Sequence, residues 1–468
     1  MNTSSEKKGL NISTKSFITA IVVIFVLMIV TYILTFFIPG GAYTRVLDEA
    51  GNLVIDVNKG FTQVEGGLPF WKWILSPFLV LGADGNVSLI AVIIFLLVLG
   101  GVFNNLEKSN LMKYMLDRIT YKFGSKRYQL MAVVTLFFMA MGSFIGSFEE
   151  CIPLVPIVVA LAITLGWDAL TGLGMSLLAV GCGFAAGICN PFTVGVAQEL
   201  ASLPMFSGMW LRGVSFVLIY LLLITFLRRH AKRMERPLQI SAGESAFTVE
   251  KHMDRGMFSF VIIIAIGIIL VLSSVFITVL QDYTMILIAV MFFIAGIVST
   301  TLCHVKFKSQ LSTFAHGLVS VLPAVLMILM ANSIKYTLVE GHILDTILHT
   351  TIGATHSLPN WIVILFIYLI VLVLNFFIPS GSAKAFLLIP LIVPVAQIFG
   401  ISPQLCILAF AFGDGFSNVF YPTNPVLLIG LGLADVNYGK WVKWSWKFQG
   451  LNLILTAAIL LVGLGIGY

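Results

Sequence analysis

Charge is scarce in this chain. Of its 468 residues only 10% are charged, whereas 59% are hydrophobic and the mean hydropathy is +1.03. Such a composition leaves little polar surface for a large extramembrane domain, and the apolar stretches approach the ~20 residues that a helix needs to cross a bilayer. The composition therefore predicts an all-α polytopic membrane protein embedded in a lipid bilayer.

Patterns that bind metals, nucleotides or nucleic acids are also lacking. The five cysteines lie mostly within apolar runs and form no C-x-x-C pair, so we expect free thiols and no metal site. No G-x-G-x-x-G or Walker pattern occurs in a soluble context, and ATP-driven transport would need a separate subunit. The net charge of +6 reflects the placement of loops, and no nucleic-acid partner is expected.

What the chain does contain is a repeat with an offset of 234 residues. The matched positions are Pro156 and Pro390, Gly166 and Gly400, Gly181 and Gly415, Asn190-Pro191 and Asn424-Pro425, and Trp210 and Trp444. Each copy places an Asn-Pro dipeptide inside an apolar helix, where proline opens the hydrogen-bond ladder. In lipid, such backbone must line a cavity or be buried in protein, so two breaks predict a substrate site near the midplane of a secondary transporter.

The positions of Lys and Arg predict the orientation. The N-terminal tail has three lysines and one acid, and residues 106–127 have six basic against two acidic residues, so both belong inside. Residues 39–87 have three basic against five acidic residues, and residues 339–359 have no Lys or Arg, so both belong outside. All charged loops satisfy this rule only if 127–166 and 360–400 are re-entrant hairpins that enter from opposite sides.

The resulting fold has inverted repeats, about nine transmembrane helices, two opposed re-entrant hairpins and two broken helices. The predicted spans are 17–38, 88–105, 170–203, 209–229, 257–280, 283–302, 312–338, 403–435 and 447–467. Residues 106–127 are expected on the membrane surface as an amphipathic arm, and residues 68–83 are interpreted as interfacial. The N-terminus is then cytoplasmic and the C-terminus outside, in a multi-pass protein of the cell membrane.

A polar hairpin tip followed by an Asn-Pro break, twice and in opposite orientation, resembles the ion-transporter superfamily of elevator-type carriers. Within it the chain resembles the YfcC-type group, which is similar to anaerobic C4-dicarboxylate carriers (DcuC-like) and to ArcD-type basic amino-acid antiporters. The segments that carry the resemblance are 146–153 (GSFEECIP), 189–193 (CNPFT), 379–384 (PSGSAK) and 421–425 (YPTNP). The resemblance implies an elevator mechanism, a homodimer and a location in the inner membrane.

The elevator interpretation divides the chain into a transport domain and a scaffold. Residues 127–203 (hairpin 1 and its broken helix) and 360–435 (hairpin 2 and its broken helix) are assigned to the transport domain. The scaffold then comprises helices and an amphipathic arm at 17–126, helices and a second arm at 204–359, and a helix at 436–468.

Glu149 and Glu150, in the tip of hairpin 1, are the sharpest anomaly, because a carboxylate at membrane depth costs several kcal/mol unless it meets a cation, donors or water. They can attract an ammonium, a guanidinium or Na⁺, or carry a coupling proton. Lys384 follows Glu150 by 234 residues, so one tip is acidic and the other basic, as a zwitterionic substrate requires. Three alternatives remain: the acids cap broken helix ends, they pair with a scaffold cation, or Glu150 and Lys384 neutralise each other.

The other candidates are polar residues of the tips and breaks, where freed carbonyls and helix N-termini can hold small ions. The substrate-binding set is Ser147, Glu149, Glu150, Asn190, Ser380, Gly381, Ser382, Lys384 and Asn424. The coupling-ion set is Glu149, Asn190, Thr193, Asp414, Asn418, Thr423 and Asn424. Hydrogen bonding within the protein is the alternative role for these groups, and Arg212 is expected to snorkel towards water.

These residues predict a secondary active transporter of a small carboxylate-bearing metabolite. The acid pair favours an amino acid, by arginine/ornithine-type exchange or by ion-coupled uptake, and the alternative is a C4-dicarboxylate carrier coupled to Na⁺ or H⁺. A channel is a weaker rival, because re-entrant segments also build selectivity filters. An enzyme is not expected, since no histidine lies near Cys189 or Ser147 to act as a base. No cofactor is expected beyond Na⁺ or H⁺ as coupling ion.

Overall fold

Helices make up nearly all of the regular structure in the computed structural model of this protein. The described residues are 14–47, 53–55, 60–83, 87–146, 148–204, 206–236, 249–274, 284–353 and 358–468. Within them, eight helical segments are long and apolar enough to cross a membrane. A multi-span membrane protein is thereby confirmed.

One group of helices comes from the start of each half of the chain. Its members are α1 (Thr14–Phe37), α2 (Phe70–Leu79), α3 (Val87–Lys108), α4 (Leu111–Phe123), α11 (Lys251–Ser274), α12 (Thr284–Leu302), α13 (Phe307–Ser320), α14 (Leu322–Glu340) and α15 (Leu344–Gly353). In this group α1 and α2 pack along α14, while α12 and α13 pack along α3. Helices α3 and α14 are thus each flanked by two helices of the other half.

The second group carries the predicted hairpins and broken helices. Its members are α5 (Arg127–Ala140), α6 (Val155–Thr164), α7 (Ala169–Leu173), α8 (Ala179–Ala186), α9 (Val196–Leu200), α10 (Met209–Met234), α16 (Asn360–Phe377), α17 (Gly381–Ile398), α18 (Pro403–Asn418), α19 (Pro425–Leu433) and α20 (Tyr438–Gly465). Helices α8 and α18 cross at its centre, where Gly181 meets Val419 and Gly415 meets Ala185. The core of the group therefore lies between the two predicted broken helices.

Loops that charge assigns to the same side of the membrane contact each other. On the predicted outer side, Arg45 pairs with Asp345 at 2.7 Å, and the Gly41 amide donates to the His342 carbonyl. On the predicted inner side, Arg118 pairs with Asp254. On the outer side, the contacts join segment 39–87 to segment 339–359. On the inner side, they join segment 106–127 to the start of α11.

The outer loop is more ordered than the sequence suggested. Its strands are β1 (Gly41–Tyr43), β2 (Arg45–Leu47), β3 (Leu53–Ile55) and β4 (Phe61–Gln63), and β1 pairs with β4 and β2 with β3, both antiparallel. No strand was predicted there, because three-residue strands give too short an alternation of side chains to recognise. Strand β3 also contacts α17, so this loop reaches hairpin 2.

A further difference concerns the predicted span 312–338, which is interrupted at Val321 between α13 and α14. Pro323 lies in the first turn of α14, where its missing N–H costs nothing and its ring prevents α13 from continuing. The interfacial run 68–83 forms α2, and its ten residues span only about 15 Å. Both α2 and α13 are therefore too short to cross the bilayer.

Helix α10 is tied to hairpin 1 at the predicted inner side. Glu235 pairs with Arg127 and accepts a hydrogen bond from Tyr128 at 2.7 Å, while His230 lies 3.1 Å from Asp168. Burial by itself raises the pKa of Asp168, but hydrogen bonds from His230 and Thr171 outweigh it and bring this pKa to about 2. Asp168 is thus ionised at neutral pH, and the end of α10 is held to the first arm of hairpin 1 and to the start of α7.

We expect Gly415→Ala to destabilise the fold, because a Cβ at this position would overlap the backbone of Ala185. The cost should be about 1–3 kcal/mol, the range for overpacking a tight core. Gly450→Ala is the matched control: it lies within α20 and a Cβ there meets nothing within 4 Å. It should be neutral or stabilising by up to about 1 kcal/mol. Thermal unfolding in detergent tests the pair, and equal midpoints would contradict the crossing of α8 and α18.

Candidate functional site

The first Asn-Pro break is closed by the predicted tip of hairpin 1. After α8 the chain leaves the helix at Gly187, which has a φ of 47°. The Ile188 amide donates to Ser143 Oγ at 3.0 Å, and the Cys189 amide donates to the Ser143 carbonyl at 3.1 Å. The side chain of Asn190 accepts from the Thr193 amide at 3.2 Å. Backbone groups opened by Pro191 thus find partners within the protein, as lipid demands.

Gly146 shows why the tip needs glycine. Its φ is 76°, in the left-handed region that favours glycine, and a Cβ there would overlap the side-chain amide of Asn190. The tip and the break are therefore in direct contact. Residues 149–154 then form a 3-10 turn, which places the backbone of Glu149 and Glu150 directly after this contact. Ser147 lies outside the described residues.

The second break restarts its helix by capping. Asn424 Oδ1 accepts hydrogen bonds from the amides of Val426 at 2.9 Å and Leu427 at 3.4 Å, and Pro425 occupies the first helical position of α19. An Asn cap followed by proline is a favourable helix start. Asn424 Nδ2 also donates to Asn418 Oδ1 at 3.0 Å, which joins the end of α18 to the start of α19. The predicted interruption of both helices is therefore present in the structure.

A buried ion pair lies at the predicted tip of hairpin 2. Lys384 Nζ is 2.7 Å from Asp414 Oδ1, and both side chains are 0% exposed. The ammonium also donates to the Ile378 carbonyl at 3.0 Å and to Asn375 Oδ1. Its three N–H groups thus have three acceptors. The partner of Lys384 among the described side chains is Asp414, and the side chain of Glu150 lies outside the described part of the chain.

Asn375 organises this ion pair, and the sequence analysis missed it. Its Nδ2 lies within donating distance of Asp414 O (3.0 Å), Ser417 Oγ (2.6 Å) and Asn418 Oδ1 (2.9 Å). With the amide nitrogen so engaged, Oδ1 faces the ammonium of Lys384. The signal was available, because a lone Asn in the apolar run of α16 must find partners inside the protein.

The second oxygen of Asp414 faces the other half of the molecule. Asp414 Oδ2 is buried and has no hydrogen-bond partner among the residues that the structure describes. A Cβ on Gly381 would lie 2.5 Å from this oxygen and would also overlap the Thr193 methyl group. Thr193 Oγ1 is likewise buried without a partner in the described ranges. Glycine in hairpin 2 thus lets Asp414 of the second half and Thr193 of the first approach the same backbone position.

The structure gathers three of the seven predicted coupling-ion residues in one network and leaves several substrate-binding residues apart from it. Asp414, Asn418 and Asn424 belong to one hydrogen-bond network together with Lys384. Other site residues lie apart from that network: Asn190 is at the first break, Thr423 is buried at the second, Ser380 is exposed and Ser382 is half-buried. The side chains of Glu149 and Glu150 lie outside the described part of the chain.

Arg212 does not snorkel, contrary to the expectation from the sequence. It is 0% exposed and donates to the carbonyls of Ile188 (3.3 Å), Phe206 (3.2 Å) and Ser207 (2.8 Å). The carbonyls freed by the break at 187–190 and by the following loop attract the guanidinium more effectively than the membrane surface does. A fixed positive charge therefore lies beside the first break.

Membrane-spanning helices, two Asn-Pro breaks and a polar network between them define a polytopic membrane transporter. The chain belongs to the DcuC family, described as C4-dicarboxylate anaerobic carrier, whose family model matches residues 17–465. The resemblance inferred from the hairpin and Asn-Pro segments is thereby confirmed.

Two curated relatives and two solved structures are similar to the chain. The Escherichia coli K12 protein named "Putative basic amino acid antiporter YfcC" is 30% identical over 402 residues, covering 81% of this chain and 78% of that protein. An uncharacterized Haemophilus influenzae protein is 23% identical over 398 residues, covering 81% and 76%. The YdaH transporter of Alcanivorax borkumensis aligns with a TM-score of 0.46 and 17% identity, covering 97% of this chain and 99% of that one. MtrF of Neisseria gonorrhoeae aligns with a TM-score of 0.45 and 15% identity, covering 96% and 95%.

Removal of either member of the Lys384–Asp414 pair should destabilise the protein more than removal of both. Asp414→Asn or Lys384→Met leaves one charge buried without its partner, which costs about 3–5 kcal/mol. Lys384→Met combined with Asp414→Asn removes both charges and should recover a large part of that loss. Thermal midpoints of the four proteins complete the double-mutant cycle. Additive losses in the double variant would show that the two groups do not interact.

Proposed function

We propose that this protein is a secondary active transporter of a small carboxylate-bearing metabolite, an amino acid, and that it works by an elevator mechanism as a homodimer in the inner membrane. The observation that carries the choice of substrate class is the neutralisation of Lys384 by Asp414. Arginine or ornithine, moved by exchange or by ion-coupled uptake, is the favoured substrate. The relative named as a basic amino acid antiporter agrees with this choice.

The charges around the two breaks favour a substrate that carries an amine. A C4-dicarboxylate brings two negative charges, and in a medium of low dielectric constant these need cations that are not already paired. The ammonium of Lys384 is taken by Asp414, and Arg212 donates to backbone carbonyls. Glu149 and Glu150 add negative charge to hairpin 1. The formal charges of these five groups sum to a net negative charge, which favours a cationic or zwitterionic ligand over a dianion.

The roles of the site residues follow from this charge distribution. Ser147, Glu149 and Glu150 would bind the amine or guanidinium, while Asn190 would contribute from the first break. The substrate carboxylate would lie at the hydroxyls of Ser380 and Ser382 beside Gly381, facing Asn424 at the N-terminus of α19, where the helix dipole favours an anion. Lys384 would hold Asp414 in place rather than touch the substrate.

A coupling ion, Na⁺ or H⁺, would bind where the two halves meet. Thr193 Oγ1 and Asp414 Oδ2 are buried oxygens without partners in the described residues, and both residues lie against Gly381, Thr193 through its methyl group and Asp414 through Oδ2. Oxygen atoms of this kind are the ligands that Na⁺ accepts, and the carboxylate can alternatively carry a proton. Asn418, Thr423 and Asn424 complete the proposed set around the second break.

Contacts that exchange under the 234-residue offset support the proposal of inverted repeats. Gly181 packs on Val419, and the residues that correspond to this pair, Gly415 and Ala185, pack on each other. A pseudo-twofold relation between α8 and α18 accounts for both contacts at once. Two hairpins of opposite orientation follow from such a relation.

The helix contacts also suggest a transport domain larger than the one expected from the sequence. Helices α10 and α20, first assigned to the scaffold, pack on the hairpin and broken helices and on each other. Trp441 Nε1 donates to the Val419 carbonyl at 2.8 Å, and α10 is tied to hairpin 1 through Glu235. We place 127–236 and 360–468 in the mobile body, and 14–123 and 251–353 in the scaffold.

A panel of ligands tests the substrate class. Arginine or ornithine should raise the thermal midpoint of the purified protein, because a ligand of the folded state stabilises it with the logarithm of its concentration. In proteoliposomes, preloading with the same amino acid should accelerate uptake, which a simple pore does not show.

Glu149→Gln and Glu150→Gln should weaken substrate binding about tenfold or more, whereas Glu199→Gln, at an exposed acid near the end of α9, should leave it unchanged.

Either of two results would contradict the proposed substrate. A thermal shift confined to C4-dicarboxylates would make the protein a dicarboxylate carrier and leave the glutamates for the coupling ion. Normal uptake by both Glu→Gln variants would remove the acid pair from substrate binding.

Accessibility of the two tips tests the elevator. In a background with Cys189 and Cys303 replaced by serine, cysteines at positions 147 and 382 should be labelled from opposite sides of the membrane when the protein is trapped in its two end states. The remaining native cysteines are buried and should react slowly. Labelling of both positions from one side only, under every condition, would refute the opposed hairpins.

A further inference from the structure

The ammonium of Lys384 occupies a site with the chemistry of a cation-binding site. Its ligands are the Ile378 carbonyl at 3.0 Å, Asp414 Oδ1 at 2.7 Å and Asn375 Oδ1. They comprise one main-chain carbonyl, one carboxylate and one amide oxygen, all inside the protein. Hard cations in proteins are bound by the same three kinds of oxygen.

These oxygens are held in position by groups other than the lysine. The amide nitrogen of Asn375 is engaged by Asp414 O, Ser417 Oγ and Asn418 Oδ1, so its oxygen is turned toward the site. Asn418 Nδ2 in turn lies 3.4 Å from Asp414 Oδ1, and Asn418 is linked to the cap of α19. The arrangement of ligands should therefore persist when the lysine side chain is shortened.

We propose that Lys384 is a built-in counter-ion that fills a site for a monovalent cation in the second half of the transporter. Wild-type protein then binds no free cation at these three oxygens, because the tethered ammonium already neutralises Asp414. Shortening Lys384 should convert the position into a site for Na⁺. The carboxylate, left buried and unpaired, supplies the driving force for the ion to enter.

The inference rests on the proposed transport function only for its consequence for coupling. If it holds, a Na⁺ that drives transport must bind elsewhere, and the oxygens of Thr193 and Asp414 Oδ2 are the remaining candidates near hairpin 2. Binding of the ion can be measured without transport. A negative result in the ligand panel would therefore not affect the test of cation binding. A negative result for cation binding would likewise not affect the test of the substrate class.

The test is the Na⁺ dependence of the thermal midpoint in Lys384→Ala, with choline chloride holding ionic strength constant. We expect the midpoint of this variant to rise by on the order of 1–2 °C for each tenfold increase in Na⁺ above its dissociation constant, beyond any rise in the wild type. Lys384→Ala combined with Asp414→Asn should lose the additional response. Lys335→Ala, at another lysine within an apolar helix, is the matched control and should gain none.

Ethylammonium provides a second probe, since it restores the missing ammonium without the tether. It should stabilise Lys384→Ala and leave the wild type unchanged. A folded Lys384→Ala variant whose response to Na⁺ equals that of the wild type would overturn the proposal, as would a response that survives Asp414→Asn. A variant that stays unfolded in Na⁺, K⁺ and ethylammonium, while Lys384→Met with Asp414→Asn folds, would overturn it too, because the site then accepts no free cation.

Discussion

The ion pair between Lys384 and Asp414 is the interaction on which the arrangement of the second half depends. Two charges withdrawn from water are tolerated only when they meet each other and further hydrogen-bonding groups. Here Ile378, Asn375 and Asn418 supply those groups, and Asn424 extends the network to the N-terminus of α19. The tip of hairpin 2, the end of α18 and the start of α19 therefore form one hydrogen-bonded unit. A hairpin that moved without its broken helix would have to separate these charges inside the membrane.

At both Asn-Pro dipeptides the helix is interrupted, and different side chains bind the freed backbone groups at the two breaks. In both copies proline begins the next helical segment and the Asn side chain accepts from amides of that segment. The first break is completed by Ser143 from hairpin 1 and by Arg212, whereas the second is completed by Asn418. The two breaks thus share the Asn-Pro pair and differ in the side chains that surround it.

Features set by local chemistry were predictable from the sequence, whereas features set by the rotation of one helix against another were not. The breaks at Asn190 and Asn424 follow from proline inside an apolar run. The pairing of Lys384 with Asp414 spans 30 residues and depends on which faces of α17 and α18 meet, so the sequence offered Glu150 as an equally reasonable partner. Asn375 went unnoticed because a single amide among apolar residues has no spacing pattern. The same limit applied to the short strands of the outer loop.

The family is described by a C4-dicarboxylate carrier, while one relative is named as a basic amino acid antiporter, so the fold by itself does not fix the sign of the substrate charge. The sign of the substrate charge must therefore be inferred from the charged groups inside the fold. A lysine opposite a broken helix would suit a dianion if its ammonium were unpaired, but Asp414 removes that positive charge from the site. In the proposed site, to which Glu149 and Glu150 would add negative charge, each additional negative charge on a ligand would raise the electrostatic cost of entry, and each amine would lower it. The argument for an amino acid therefore depends less on the presence of Lys384 than on the acid that it faces.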